Sequence, residues 1–330
     1  MRFSPVRRTL LTTAVAASVA SVGGGAFAQN KIKLRLSSPA SATDQRAVAL
    51  TSIFGPAVAS FADLDPHWNA SLFKQGTELE AISRGNLEMS IASAQELAEF
   101  FPEFSVFAAG YVHRDAAHQV KVFNSDFFQP YKKKVEDKLG VKLLSVMYLG
   151  RRQLNLRTDK QINTPADLAG LKLRMPGSEA WLFLGRALGA NPVPMAFTEV
   201  YTGLQTGAID AQDNPLPTVR DAKFFEVTKQ VVLTSHLVDL NYLTLSKRVW
   251  DRMTPAQQAT LQKAANDAAE SGRQKQLALE GELEAFFKEK GLKVYTPNLD
   301  AFRKQVQEAY LKSDLAKNWE KGALERINAL

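Results

Sequence analysis

Cysteine is absent from this 330-residue chain. Its absence excludes disulfides, thiolate nucleophiles, iron–sulfur clusters, cysteine-ligated zinc and a lipid-modified cysteine anchor at once. Histidine is scarce: His67, His113, His118 and His236 are the only four. None stands in HExxH spacing, and no close histidine–carboxylate cluster is visible. His113 and His118, five apart, fall about 140° apart on a helix and so off one face. His236 is of more interest for its place in the chain than for its neighbours. No P-loop, GxSxG elbow or GxGxxG follows an expected strand. A catalytic nucleophile with its base is therefore not found, no metal or cofactor is expected, and an enzyme is not the reading.

Long apolar runs are also missing, apart from the N-terminus. There Arg2, Arg7 and Arg8 precede an uncharged stretch from Thr9 to Val22, followed by Ala26-Phe27-Ala28. A basic start, a short apolar middle and an A-x-A ending make a secretory signal peptide over 1–28, with cleavage after about Ala28. The apolar stretch falls short of the roughly 20 residues that span a bilayer. Arg7-Arg8 leaves Sec and twin-arginine export both open.

The chain's net charge of +7 would ordinarily raise nucleic acid as a partner. Without residues 1–28 the balance is 38 basic against 34 acidic residues. The tightest remaining basic run, Lys132-Lys133-Lys134, lies beside Glu136 and Asp137 and reads as a solvated helix face. No nucleic acid is expected.

Strands alternate with helices along the chain, which implies an α/β fold with a mostly parallel sheet and helices on both faces. Expected strands are 32–36, 87–92 running into Ser93, 142–147 ending near Gly150, 171–174, 193–197 and 208–211 running out to Pro215. Thr164-Pro165 and Ser178 carry helix-start signals, with Glu199 opening a further helix to Gly207. From Thr254-Pro255 to Lys290 a helix-favouring stretch of 36 residues runs without an internal proline. At about 1.5 Å per residue it would be roughly 54 Å long. Such a helix bridges two lobes or breaks near Gly272.

The expected strand ends bring Arg174, Phe197 and Asn214 to one sheet edge, where ligands bind in open α/β sheets. Arg174, between Leu173 and Met175, should be buried, and a buried guanidinium needs a partner. That partner is either Asp167 or Glu199 in an internal ion pair, or the carboxylate of a ligand gripped by the planar fork. Arg152, at the Gly150-Arg151-Arg152 strand exit, is a second candidate. Trp181, on the helix after Ser178, is either a pocket wall or a core residue.

Several runs resemble the extracytoplasmic solute receptors of TRAP transporters, the DctP family. They are Gly150-Arg151-Arg152-Gln153, Thr164-Pro165-Ala166-Asp167-Leu168-Ala169-Gly170-Leu171-Lys172-Leu173-Arg174-Met175-Pro176, Pro194 to Tyr201, and Leu204 to Pro215. The resemblance covers essentially all of 30–330. It implies a two-lobed periplasmic-binding-protein architecture, each lobe a β-sheet flanked by helices, with the long helix bridging them. Lobe I would comprise 29–149 plus 240–279, and lobe II 150–239 plus 280–330. It also implies a periplasmic location, hinge closure over a small organic acid, and delivery to a small and a large integral membrane subunit. Arg174 would pair with the ligand carboxylate, Arg152 and Asn214 would assist, and Phe197 would wall the pocket. Ser93 is a further expected contact. Sialate-binding relatives are similar around 190–215 but have Glu and Arg where this chain has Ser93 and Glu96, which argues against sialate. Sugar acids, 2-oxo acids, C4-dicarboxylates and aromatic acids all remain open. A receptor for an ATP-driven importer or a chemosensory system is the alternative, and a monomer is the default.

Overall fold

Two long strands carry the architecture. In the computed structural model, which describes residues Lys31–Leu330, nine strands form one sheet. They are β1 (Ile32–Ser37), β2 (Ala62–His67), β3 (Met89–Ser93), β4 (Val141–Leu156), β5 (Lys172–Met175), β6 (Asn191–Pro194), β7 (Ala211–Pro215), β8 (Gln230–Ser246) and β9 (Lys293–Tyr295). The order is β2-β1-β3-β8-β4-β7-β5-β6, with β9 against β8. The signal peptide expected over 1–28 lies outside the described residues.

The sheet is mixed: five of its eight strand pairings are parallel, and three, all involving β4 or β8, are antiparallel. β2-β1-β3 and β7-β5-β6 are parallel sets, but β3, β4 and β7 meet their inner neighbours antiparallel. The expected parallel pairing holds within the outer sets, because helix–strand alternation reports each βα unit. It does not report the two central strands that join them. β4 and β8, at 16 and 17 residues, run through both sets.

β4 was expected to end near Gly150 and instead continues to Leu156. Gly150 is absorbed as a bulge: its φ is +132°, and the register with β8 slips between Tyr148 and Gly150. Phe197 lies just beyond β6, in a 3₁₀ turn over Phe197–Glu199, and Asn214 lies inside β7 rather than past it. β2 was not foreseen. It contains Pro66, which an edge strand tolerates because the missing N–H costs no ladder bond there.

The long helix is unbroken from Pro255 to Glu289, started by a Thr254–Gln257 capping box with proline at the first turn. Its first half presents Leu261, Ala264, Ala265 and Ala268 to a core with Leu36, Phe54 and Leu243. Its second half presents Leu283 and Phe287 to a separate core with Leu204, Val219 and Phe224. One helix therefore bridges two hydrophobic clusters. Gly272 does not break it; a Cβ there would stand 3.4 Å from the Gln45 carbonyl oxygen, an ordinary van der Waals contact. On the opposite face of β8, Leu240 and Tyr242 point into a third core with Phe104 and Phe128, as the two-residue strand period requires.

The helix is fastened to β4 at the bulge. Gln276 donates to the Leu149 carbonyl, and Glu280 accepts from the Arg151 N–H at 2.5 Å and the Tyr148 hydroxyl at 2.8 Å. A Cβ at Gly150 would lie 2.5 Å from Glu280 Oε1 and 2.6 Å from Pro215 Cβ. Gly150→Ala is therefore expected to cost about 2 kcal/mol or more of stability. Urea denaturation reads it as a lowered midpoint, and an unchanged midpoint would mean the bulge accepts a side chain.

Candidate functional site

A cavity of about 320 Å³ opens where β5, β7, β4, β8 and β3 face the loops above the sheet. All six residues expected from sequence line it: Arg174, Arg152, Asn214, Phe197, Ser93 and Trp181. They come from four strands, one turn and one helix, so only the folded sheet brings them together.

Arg174 is 1% exposed. Its Nε donates to the Met195 carbonyl at 2.9 Å and its Nη2 to Gln75 Oε1 at 3.2 Å. Neither carboxylate weighed as an internal partner reaches it. Asp167 caps its own turn by accepting from the Thr164 N–H at 2.7 Å, and Glu199 accepts from the Ala196 N–H at 3.3 Å. Among the described residues, Arg174 is the one cavity-lining arginine without a carboxylate partner. Burial, and then the positive charge of Arg152, hold its guanidinium well below its ordinary pKa. Such a group has an unmet demand for an anion.

Arg152 is paired in the opposite way. Asp213 grips it at Nε (2.6 Å) and Nη2 (3.1 Å), and Asp239 takes Nη1 at 2.7 Å. Its Cζ lies 4.6 Å from the Trp181 ring centroid. Each of its three nitrogens already faces a carboxylate oxygen, so Arg152 serves as the cavity floor rather than as a vacant fork. His236, fully buried, donates from Nε2 to Asp213 Oδ2 at 3.0 Å, since a carboxylate can only accept. Its Nδ1 meets the Thr234 hydroxyl at 2.8 Å. Burial works to raise Asp213, but Arg152 and His236 outweigh it and hold the carboxyl far below the usual range.

The remaining expected residues are fixed by local bonds. Asn214 Nδ2 donates to Gln212 Oε1 at 2.6 Å, leaving Oδ1 and a second amide hydrogen for a ligand. Ser93 ends β3 and forms a capping box with Glu96: its Oγ accepts at 3.1 Å and Glu96 Oε2 accepts at 2.8 Å. Phe197 stands 5.9 Å from the Arg174 Cζ and edge-on to Phe224 at 5.7 Å. Trp181 satisfies both of its readings, being 3% exposed and packed in the main core while lining the cavity.

Residues 62–316 match the profile of the bacterial extracellular solute-binding proteins, family 7, DctP. The chain belongs to that family. A TRAP periplasmic solute-binding protein of Roseobacter denitrificans, crystallised with 3-deoxy-D-manno-oct-2-ulosonic acid (KDO), is 64% identical with a TM-score of 0.90. The match covers 91% of this chain and 99% of that one. A second receptor from R. denitrificans, with bound L-galactonate, is 27% identical with a TM-score of 0.82, covering 91% and 98%. The sialic acid-binding periplasmic protein SiaP of Vibrio cholerae is 32% identical over 246 residues, 74% of this chain and 76% of its own length. These family members are solute-binding proteins rather than enzymes, and this chain is a solute receptor of the TRAP type.

Several cavity residues were not foreseen. Gln75 accepts both from Arg174 Nη2 and, at 2.9 Å, from the Phe197 N–H. It sits in a turn-rich stretch where nothing local marks it. Asp44, Arg46 and Asn241 also line the cavity. The histidine geometry also differs from expectation: His113 precedes the helix that starts at Ala116, so its ring meets that of His118 at 5.5 Å instead of facing away. No metal-binding cluster occurs among the described residues.

Behind Ser93, Glu78 is 6% exposed and accepts from the Gly76 N–H at 2.7 Å. Burial, then the charge of Glu96, pushes its carboxyl up to about 8 from an ordinary 4.5. A raised carboxyl contributes stability that is complete below 4.5 and lost as pH rises through 8. Glu78→Gln removes that loss. The melting temperature of this variant should rise relative to the parent between pH 5 and pH 8.5, by an increment that grows with pH. A difference that does not change with pH would contradict the assignment.

Proposed function

We propose that this receptor captures a polyhydroxylated monocarboxylic acid of the 3-deoxy-2-ulosonic type, with KDO as the leading ligand, in the periplasm. It delivers the acid to the small and large integral membrane subunits of a TRAP transporter. The observation that carries this reading is Arg174, a buried guanidinium facing a cavity with no carboxylate of its own. The 64% identical receptor with bound KDO supports the ligand class. A cavity of about 320 Å³ lined by hydroxyl and amide side chains suits a small polyol acid.

The proposed mechanism is lobe closure. Lobe I is 29–149 with 240–279 and lobe II is 150–239 with 280–330. The two cores spanned by the long helix, and the bulges in β4, support a hinge at this boundary. The ligand bridges Arg174 of lobe II to Ser93 and Asn241 of lobe I, and so stabilises the closed state by its differential affinity. Micromolar binding requires about 8 kcal/mol. A bidentate pair at roughly 1.5–3 kcal/mol per charged hydrogen bond supplies a large part of it.

Titration calorimetry with KDO tests the reading. Arg174→Lys keeps the charge and loses the fork, and is expected to bind about tenfold more weakly or worse. Unchanged affinity in that variant would overturn the role of Arg174, and no heat with KDO in the parent protein would overturn the ligand.

A further inference from the structure

The end of the cavity opposite Arg174 holds a second arginine whose charge is cancelled within the chain. Arg46 lines the cavity and is 8% exposed. Asp44 grips it in a fork, with Nε to Oδ1 at 2.9 Å and Nη2 to Oδ2 at 2.7 Å. Its remaining nitrogen, Nη1, donates to Asn241 Oδ1. Arg46 therefore resembles Arg174 in burial and position on a cavity wall, and differs in having no demand for an anion.

The two arginines mark opposite ends. Arg46 is anchored to β8 through Asn241, whereas Arg174 stands on β5, and β4 and β7 lie between. Three strand spacings separate those backbones, about 14 Å. Asp221, raised by burial against the opposing pull of Arg220, which donates to its Oδ1 at 2.9 Å, lines the same cavity, as does Asp239. A carboxylate arriving there meets three aspartates, each already paired with an arginine (Asp44 with Arg46, Asp239 with Arg152, Asp221 with Arg220), and no unpaired cation. A hydroxyl meets acceptors on those aspartates and a donor on Asn241, whose amide is oriented by the bond from Arg46 to its Oδ1.

We infer that Asp44 is a specificity-determining residue: by masking Arg46 it restricts the cavity to ligands with a single carboxylate, and it admits a hydroxylated tail where a diacid would place its second charge. This deepens the proposed function and rests on it. The device works by withholding a cation: with each arginine on this wall held by an aspartate, no positive charge is left to offset the desolvation of a second carboxylate.

The test compares KDO with its dicarboxylate analogue, in which the terminal CH₂OH is oxidised to a carboxylate, by titration calorimetry on the full mature chain. The parent is expected to bind KDO and to discriminate against the diacid. Asp44→Asn keeps an effective helix cap, since asparagine and aspartate are equivalent there, and releases Arg46. It should improve the affinity ratio of diacid to KDO by about tenfold, and Asp44→Asn with Arg46→Gln should abolish that gain. Asp221→Asn, which releases Arg220 beside the same wall without touching the cap, should narrow the ratio about threefold and carries the test if the first variant does not fold. An unchanged ratio in a variant that still binds KDO overturns this inference alone. A parent that binds neither acid overturns the proposed function beneath it.

Discussion

The double ion pair of Arg152 with Asp213 and Asp239 is the constraint on which the site depends. It joins β4 to β7 and β8 beneath the cavity, and His236 and Trp181 close around it. Removing one partner from a buried pair of this kind costs about 3–5 kcal/mol, because the other charge is left without compensation. The arrangement also sets the electrostatics above it. Two carboxylates satisfy one guanidinium, so Arg152 offers no net attraction to an anion, and its positive charge still disfavours the charge on Arg174. The cavity thus has a neutralised floor, one unsatisfied cation at one end and a masked one at the other.

This floor lies beside an irregular stretch of the central strand pair. β4 and β8 slip register three times along their shared length, and the slip at Gly150 frees the Arg151 N–H that Glu280 accepts. The long helix is thus tied to the sheet at the bulge and continues from one core into the other. A third and larger core continues across the same region, with Phe104 and Tyr242 in one cluster with Leu154 and Leu184.

Much of the fold could be read in advance. The helix from Thr254 was visible because capping, composition and the lack of proline are local signals. So were β1, β3 and β5, each bounded by turn residues. Arg174 and Asn214 converge near the C-terminal ends of β5 and β7, as strand ends at one sheet edge predict, whereas Arg152 reaches the cavity from the middle of β4 and Trp181 from a helix. The boundary of β4 was missed because a glycine in a bulge and a glycine that ends a strand look alike in sequence. β2 was missed because Asp65-Pro66 reads as a turn, and only its edge position makes the proline harmless.

The partners of the charged groups were not readable. Asp213 and Asp239 stand 61 and 87 residues from Arg152, and Gln75 stands 99 from Arg174. No periodicity links such positions; β8 brings Asp239 beside Arg152 only by running antiparallel to β4. By itself the sequence determined that the chain has no thiol chemistry, that an arginine ends a buried strand, and that one helix is long enough to join two bodies. The tertiary structure alone decided which arginines are neutralised and which one is left for a ligand. Charge pairing acts through space, and only the folded sheet sets those distances.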